Sequence, residues 1–133
     1  MNENRLRHSF AVANKMVELN KGKNSNEVFL IGYLHDIGYQ FTDNRSQHNK
    51  VGGEILKNLG FTFWKEIYYH GEDNCDYQSE YLDLLNSADM MIDSKGNDVG
   101  FENRLEDIKN RYGEQSIEYI KANNIIKRLR KKR

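Results

Sequence analysis

Apolar residues recur at three- to four-residue spacing along most of this chain, and no segment shows the strict alternation of a half-buried strand. Leu6, Phe10, Ala13, Met16 and Val17 predict an amphipathic helix over residues 3–20. Lys21-Gly22-Lys23-Asn24 breaks it. Ser25 suits an N-cap, and Val28, Leu30, Ile31 and Leu34 carry a second helix to His35 and Asp36. That helix is apolar on several faces, which predicts a central, buried position. Residues 40–47 lack periodicity and read as a loop. His48 opens a third helix through Val51, Ile55, Leu56 and Leu59, closed by Gly60. Phe63, Trp64, Ile67 and Tyr68 continue at helical spacing to His70, and residues 72–78 form a polar loop. Tyr81, Leu82, Leu85, Ala88, Met91 and Ile92 predict a fifth helix, with Asp89 inside it. After a glycine-containing turn at 94–100, Leu105, Ile108 and Tyr112, then Ile117, Ile120, Ile125 and Leu129, predict two more helices within 101–133. The expectation is a single all-α domain over 1–133, a bundle of six to seven helices.

Composition supports this. The chain has 133 residues and no proline, so nothing breaks its helices by ring geometry. Its single cysteine, Cys75, excludes an internal disulfide framework and suits a reducing compartment. No secretory pattern opens the chain, and no apolar run approaches the roughly 18 residues of a membrane span. A cytoplasmic protein is expected. Lys+Arg and Asp+Glu each number 20. The charge is uneven: the last seven residues, Lys127 to Arg133, hold six cations, leaving 14 basic against 20 acidic residues elsewhere. The basic tail 127–133 reads first as a solvated, fraying helix end favoured by the macrodipole. Nucleic-acid binding there is the lesser expectation, since no aromatic residue interleaves the run.

His35 and Asp36 carry the most chemical information. An imidazole and a carboxylate from adjacent residues can serve one divalent cation. Neighbours do not share a face of a regular α-helix, so the helix must end or distort there, and Gly38 suits such an ending. The chain has three further histidines, His8, His48 and His70, each in or at the end of a predicted helix. Asp89 interrupts the apolar face made by Leu85, Ala88 and Ile92. A buried carboxylate without a cationic partner is costly, and metal ligation removes that cost. Taken singly, each histidine reads as an ordinary surface, core or helix-terminal residue.

Together they resemble a known family. Arg5-Leu6-Arg7-His8-Ser9, Leu34-His35-Asp36-Ile37-Gly38, the helix start His48-Asn49-Lys50-Val51-Gly52-Gly53, Tyr68-Tyr69-His70-Gly71-Glu72 and Ser87-Ala88-Asp89 are similar, in that order, to the motifs of the HD superfamily of metal-dependent phosphohydrolases. The match is to the HDIG-type variant with two extra histidines, and spans about residues 4–93. The resemblance implies an all-α bundle with its site between helices. It implies one metal on His8, His35, Asp36 and Asp89, and a second on Asp36, His48 and His70, with Asp36 bridging. His35 and Asp36 would be the catalytic pair. Such ligands accept Fe, Mn, Zn, Co or Ni without selecting sharply among them. The implied reaction is hydrolysis of a phosphoester or phosphoanhydride of a nucleotide or other small phosphorylated metabolite, with a metal-bound hydroxide as nucleophile.

Phosphate needs further donors. Arg5, one turn before His8, is the first candidate; Lys50 and Arg45 follow. Tyr39 stands where many HDIG proteins have lysine, and could pack, stack on a base or bond a phosphate. Two other readings compete: a di-iron oxygenase of the same superfamily, and a non-catalytic nucleotide-sensing module. Trp64 and Tyr77, read as exposed aromatics, hint at a homodimer surface.

Overall fold

The computed structural model describes residues 2–132. Arg133, part of the basic tail, lies outside the described residues. Among these, seven α-helices follow in order: α1 (Glu3–Leu19), α2 (Ser25–Leu34), α3 (His48–Asn58), α4 (Trp64–Tyr69), α5 (Glu80–Asp89), α6 (Gly100–Tyr112) and α7 (Ile117–Lys131). A short 3-10 turn at Ile37–Gln40 leads into the stretch 40–47 read as loop, and a second, Arg45–Gln47, closes it. The all-α expectation holds.

Local chemistry sets the ends. Asn2, Ser79 and Ser116 cap α1, α5 and α7 by accepting backbone N–H groups, each sparing an orphan donor. Ser25 is not a cap: it is the first residue of α2, and Asn24 precedes it in the left-handed region at φ 51°. The tight link from α1 forces that conformation, which asparagine tolerates.

Two apolar clusters build the interior. The first joins α1 to α5 through Val12, Met16, Ile31, Ile67 and Leu85, all with no exposure. Each such side chain contributes about 1.5–3 kcal/mol by leaving water. The second joins α6 and α7 to the end of α5 through Met90, Ile108, Ala122, Ile125, Ile126 and Leu129. The candidate site lies at the boundary between them.

Several surfaces differ from the sequence expectation. Helix α1 buries His8, Ser9, Val12, Ala13 and Met16, while Leu6 and Phe10 are exposed. The helix is rotated so that polar His8 and Ser9 face inward, which an apolar-only pattern does not register. Helix α2 buries one face, and Leu30 and Tyr33 remain exposed. Trp64 and Tyr77 are partly buried rather than free: Trp64 packs against the first cluster, and the Tyr77 hydroxyl donates to Glu66 at 2.5 Å. The basic tail is docked rather than frayed. Leu129 is buried, Arg130 and Lys132 pair with Glu102 and Asp83, and Arg128 donates to the Asp73 carbonyl. No helix among the described residues is long and apolar enough to cross a membrane.

Candidate metal centre

Helix α2 stops at Leu34; His35 keeps helical dihedrals as its C-cap, and Asp36 is the first residue to leave the spiral. Asp36, at φ −104° and ψ 15°, opens the 3-10 turn that follows. The adjacent side chains thereby reach one centre. Gly38 serves a different purpose from the one expected. It has no positive φ; a Cβ there would collide with the carbonyl oxygen of His48. Glycine lets the turn press against the start of α3, bringing His48 beside Asp36.

The other ligand types arrive from separate elements: His8 from α1, His48 from the first residue of α3, His70 from the end of α4, and Asp89 from the last residue of α5. His8, His35, Asp36, His70 and Asp89 are all buried, while His48 is partly exposed. All six residues read from the sequence come together.

Their orientation follows a common rule. Nδ1 of His8, His35, His48 and His70 lies 2.8, 2.6, 2.7 and 2.6 Å from the backbone carbonyls of Asp93, Gly32, Arg45 and Ile67. A carbonyl oxygen only accepts, so each Nδ1 carries the proton. Each Nε2 points inward, the arrangement that orients metal-bound imidazoles. Nε2 of His35 is buried without a hydrogen bond.

The carboxylates divide this array. Oδ2 of Asp36 is 3.2 Å from His35 Nε2 and 3.7 Å from His8 Nε2. Oδ1 of Asp36 is 3.1 Å from His48 Nε2 and 3.4 Å from His70 Nε2. Asp89 Oδ1 lies 2.8 Å from His8 Nε2 and 3.5 Å from His35 Nε2. Donor atoms of His8, His35 and Asp89, and again of His35, Asp36 and His70, lie within 4.8 Å of one another and could hold a cation.

The charge balance points the same way. Burial favours neutral carboxyls at Asp36 and Asp89, yet the surrounding imidazoles overcome it and hold both well below the usual carboxylate range. Burial pushes His35 down, but Asp36 and Asp89 raise it well above the ordinary imidazole value. Burial wins at His70 and lowers it. Two buried carboxylates thus demand positive charge, from protons or from cations. Asp89 has partial relief: Arg104, on α6, donates from Nε to its backbone carbonyl at 3.1 Å and places Nη2 3.7 Å from Oδ1.

A cavity of about 580 Å³ is lined by five of the six, with His35 buried behind them. Arg5, Tyr39 and Arg45 line it. Lys50 does not: it is two residues beyond His48 on α3, roughly opposite on the helix, although its charge reaches Glu72. The Arg5 guanidinium sits 3.9 Å from the centre of the Tyr39 ring, and the His48 ring stacks on Tyr39 at 4.1 Å and 10°. Two groups that close must take opposite faces, so Tyr39 has no face left for a base. Burial, reinforced by the charge on Asp36, raises its hydroxyl, which stays protonated as a donor.

Sequence reasoning missed Arg104, Arg111 and Lys121, which line the same cavity from α6 and α7. Arg104, Asp107, Ile108 and Arg111 share one stripe of α6, but that spacing alone does not say which way the stripe faces, and Lys121, on α7, carries no such signal. It also missed Asn49, buried beside His48, which donates to the carbonyls of Tyr68 and His70 and to Glu72, fixing the turn that presents His70.

Comparison with known proteins finds no curated protein and no solved structure that matches. Residues 5–96, well over half the chain and all six converging residues, match the family model described as the HD domain, and the chain belongs to that family.

Proposed function

We propose that this HD domain is a metal-dependent phosphohydrolase of the HDIG type, acting on a small phosphorylated metabolite. The observation that carries the reading is the common orientation of the four imidazoles. Every Nδ1 is spent on a backbone carbonyl and every Nε2 is turned toward Asp36 and Asp89. Nε2 of His8 meets Asp89 at 2.8 Å and Nε2 of His48 and His70 lie 3.3 Å apart, yet Nε2 of His35, fully buried among them, has no hydrogen bond, which a purely structural cluster would not leave.

The donor set fits divalent cations. His8, His35, Asp36 and Asp89 would hold one, and Asp36, His48 and His70 a second, with Asp36 common to both. Bound there, divalent cations acidify water and neutralise charge on phosphoryl oxygens. The chain supplies the rest. Arg5, held over Tyr39, offers a planar two-pronged donor to a phosphate in the cavity. The Tyr39 hydroxyl is a neutral donor beside it. Asn49 and Arg104 position His70 and Asp89 through their backbone carbonyls.

The test is phosphate release from a panel of phosphomonoesters, phosphodiesters and phosphoanhydrides, with protein loaded in turn with manganese, iron, cobalt, nickel and zinc. Hydrolysis that disappears in both His35→Ala and Asp36→Ala supports the reading. Retained hydrolysis in either variant, or oxygen consumption confined to the iron form with no phosphate release, refutes it.

A further inference from the structure

His70 stands where α4 gives out. It is the C-cap of that helix, with ψ at 143°, and Gly71 follows at φ 78°. No regular spiral therefore carries the segment 70–73, and its neighbours must hold it. The Gly71 N–H donates to the Asn86 side chain at 3.0 Å, and the Glu72 N–H to the Tyr69 carbonyl at 3.2 Å.

A further hold comes from α7. Lys121 Nζ donates to Glu72 Oε1 at 2.8 Å, Asn124 Nδ2 to Asp73 Oδ2 at 2.7 Å, and Arg128 Nη1 to the Asp73 carbonyl at 3.3 Å. Positions 121, 124 and 128 form one stripe of the helix, so all three meet the same segment. A neighbouring stripe, Ala122, Ile125 and Leu129, is buried in the second apolar cluster, which fixes α7 itself.

The Lys121 contact continues to the metal centre. The second oxygen of Glu72 accepts from the Asn49 amide at 2.9 Å. That amide also donates to the carbonyls of Tyr68 and His70, at 3.0 and 3.1 Å. Two amide hydrogens serve three acceptors, so the placement of the amide depends on where the Glu72 carboxylate stands. Lys121 fixes that carboxylate from the other side. Only 26% and 17% of the two side chains are exposed, so water competes with this pair less than with a free surface pair. His70, so held, places Nε2 3.4 Å from Asp36 Oδ1 and 3.3 Å from His48 Nε2. The other half of the centre has separate supports: His8 and His35 rest on the carbonyls of Asp93 and Gly32, and Asp89 on Arg104 from α6.

We propose that Lys121 is a positioning residue of the metal centre, acting through Glu72 and Asn49 on His70, and therefore on one of the two cation positions. Lys121 lies beyond residue 96, where the HD match ends, so this support is supplied by the C-terminal helix pair. This deepens the hydrolase reading and rests on it for the existence of the two positions.

The experiment is metal binding, not turnover. Calorimetric titration of the metal-stripped, full-length protein with manganese gives an affinity for each position. Lys121→Met is expected to weaken, by about tenfold, the position that His48→Gln abolishes; that is the lower end of what an outer support of a metal-binding imidazole is worth. Glu72→Gln breaks the pair from the other side and gives the same selective loss. In the His48→Gln background, which keeps only the other position, adding Lys121→Met leaves the remaining affinity unchanged. Lys132→Met removes the ion pair that the end of α7 makes with Asp83, and leaves both affinities unchanged. Lys121 is partly exposed and outside the apolar clusters, so its variant is expected to fold, which a thermal melt checks. Both positions weakened equally, or neither weakened, overturns the proposal. The selective loss, seen in a protein that releases phosphate from no ester, supports the positioning role and counts against the hydrolase reading alone.

Discussion

Oδ1 of Asp36 faces Nε2 of His48 at 3.1 Å, while the other oxygen of the same carboxylate faces His35. One side chain is thereby placed between two groups of imidazoles. Asp36→Asn is expected to lose nearly all bound divalent metal, because it removes the charge both positions share. His48→Gln removes a donor from one position alone and is expected to keep about one equivalent of the about two expected for a dinuclear centre. Elemental analysis of the dialysed variants checks the difference. Equal loss in both variants would contradict a bridging role.

Gly38 is a packing requirement of the same centre. A Cβ at this position meets the His48 carbonyl, and backbone cannot move aside as a flexible side chain can. Gly38→Ala is expected to cost about 1–3 kcal/mol, the usual penalty of overpacking, seen as a lowered thermal midpoint. Metal affinity falls with it, since His48 is displaced from Asp36. An unchanged midpoint and unchanged metal content would show that the contact is not tight.

Tyr39 joins the two. Tyr39→Phe preserves the ring between Arg5 and His48 and removes only the hydroxyl; Tyr39→Ala removes the platform on which Arg5 rests. Steady-state kinetics are expected to show a raised KM for Tyr39→Ala, of about tenfold if Arg5 loses one charged interaction with phosphate. The Phe variant is expected to keep KM within a few-fold. The reverse order would assign the binding role to the hydroxyl instead.

How legible this was in the sequence depended on chemistry more than on pattern. His35 and Asp36 stood out because adjacent residues can meet one cation only where a helix ends, and α2 ends at Leu34. Asp89 stood out as a carboxylate on an apolar face. The inward face of α1 did not, because burial of His8 and Ser9 reverses the usual sense of polar and apolar. Lys50 was misplaced by proximity in sequence: two residues from His48 on a helix is a different side. The cations of α6 and α7 looked like ordinary surface charge. Only the packing of that pair against α5 turns them toward the cavity, and no local motif encodes such packing.

The Asp93 turn holds His8 from behind and gives a pH dependence. Its carboxylate accepts the N–H groups of Lys95 and Asn97 at 2.9 Å each, while its carbonyl accepts from His8. Partial burial pushes the carboxyl up, but those hydrogen bonds win and hold it below its usual value. With the folded value below the unfolded one, the stabilisation is present above about pH 4 and is lost as pH falls through the folded value. Asp93→Ala is expected to cost about 1 kcal/mol at neutral pH, the net worth of such partly solvated bonds. The gap from the unaltered protein should close in melts below about pH 4. A gap that stays constant into acid would rule out the carboxylate as its source.

Everything turns on whether the six converging side chains hold cations. The most direct measurement is elemental analysis of protein purified without added metal and dialysed free of loosely bound ions, paired with His35→Ala. About two equivalents of transition metal per chain, falling steeply in the variant, is the expected result. A chain that stays folded yet retains no metal, even after incubation with manganese, iron, cobalt, nickel or zinc, would contradict the account.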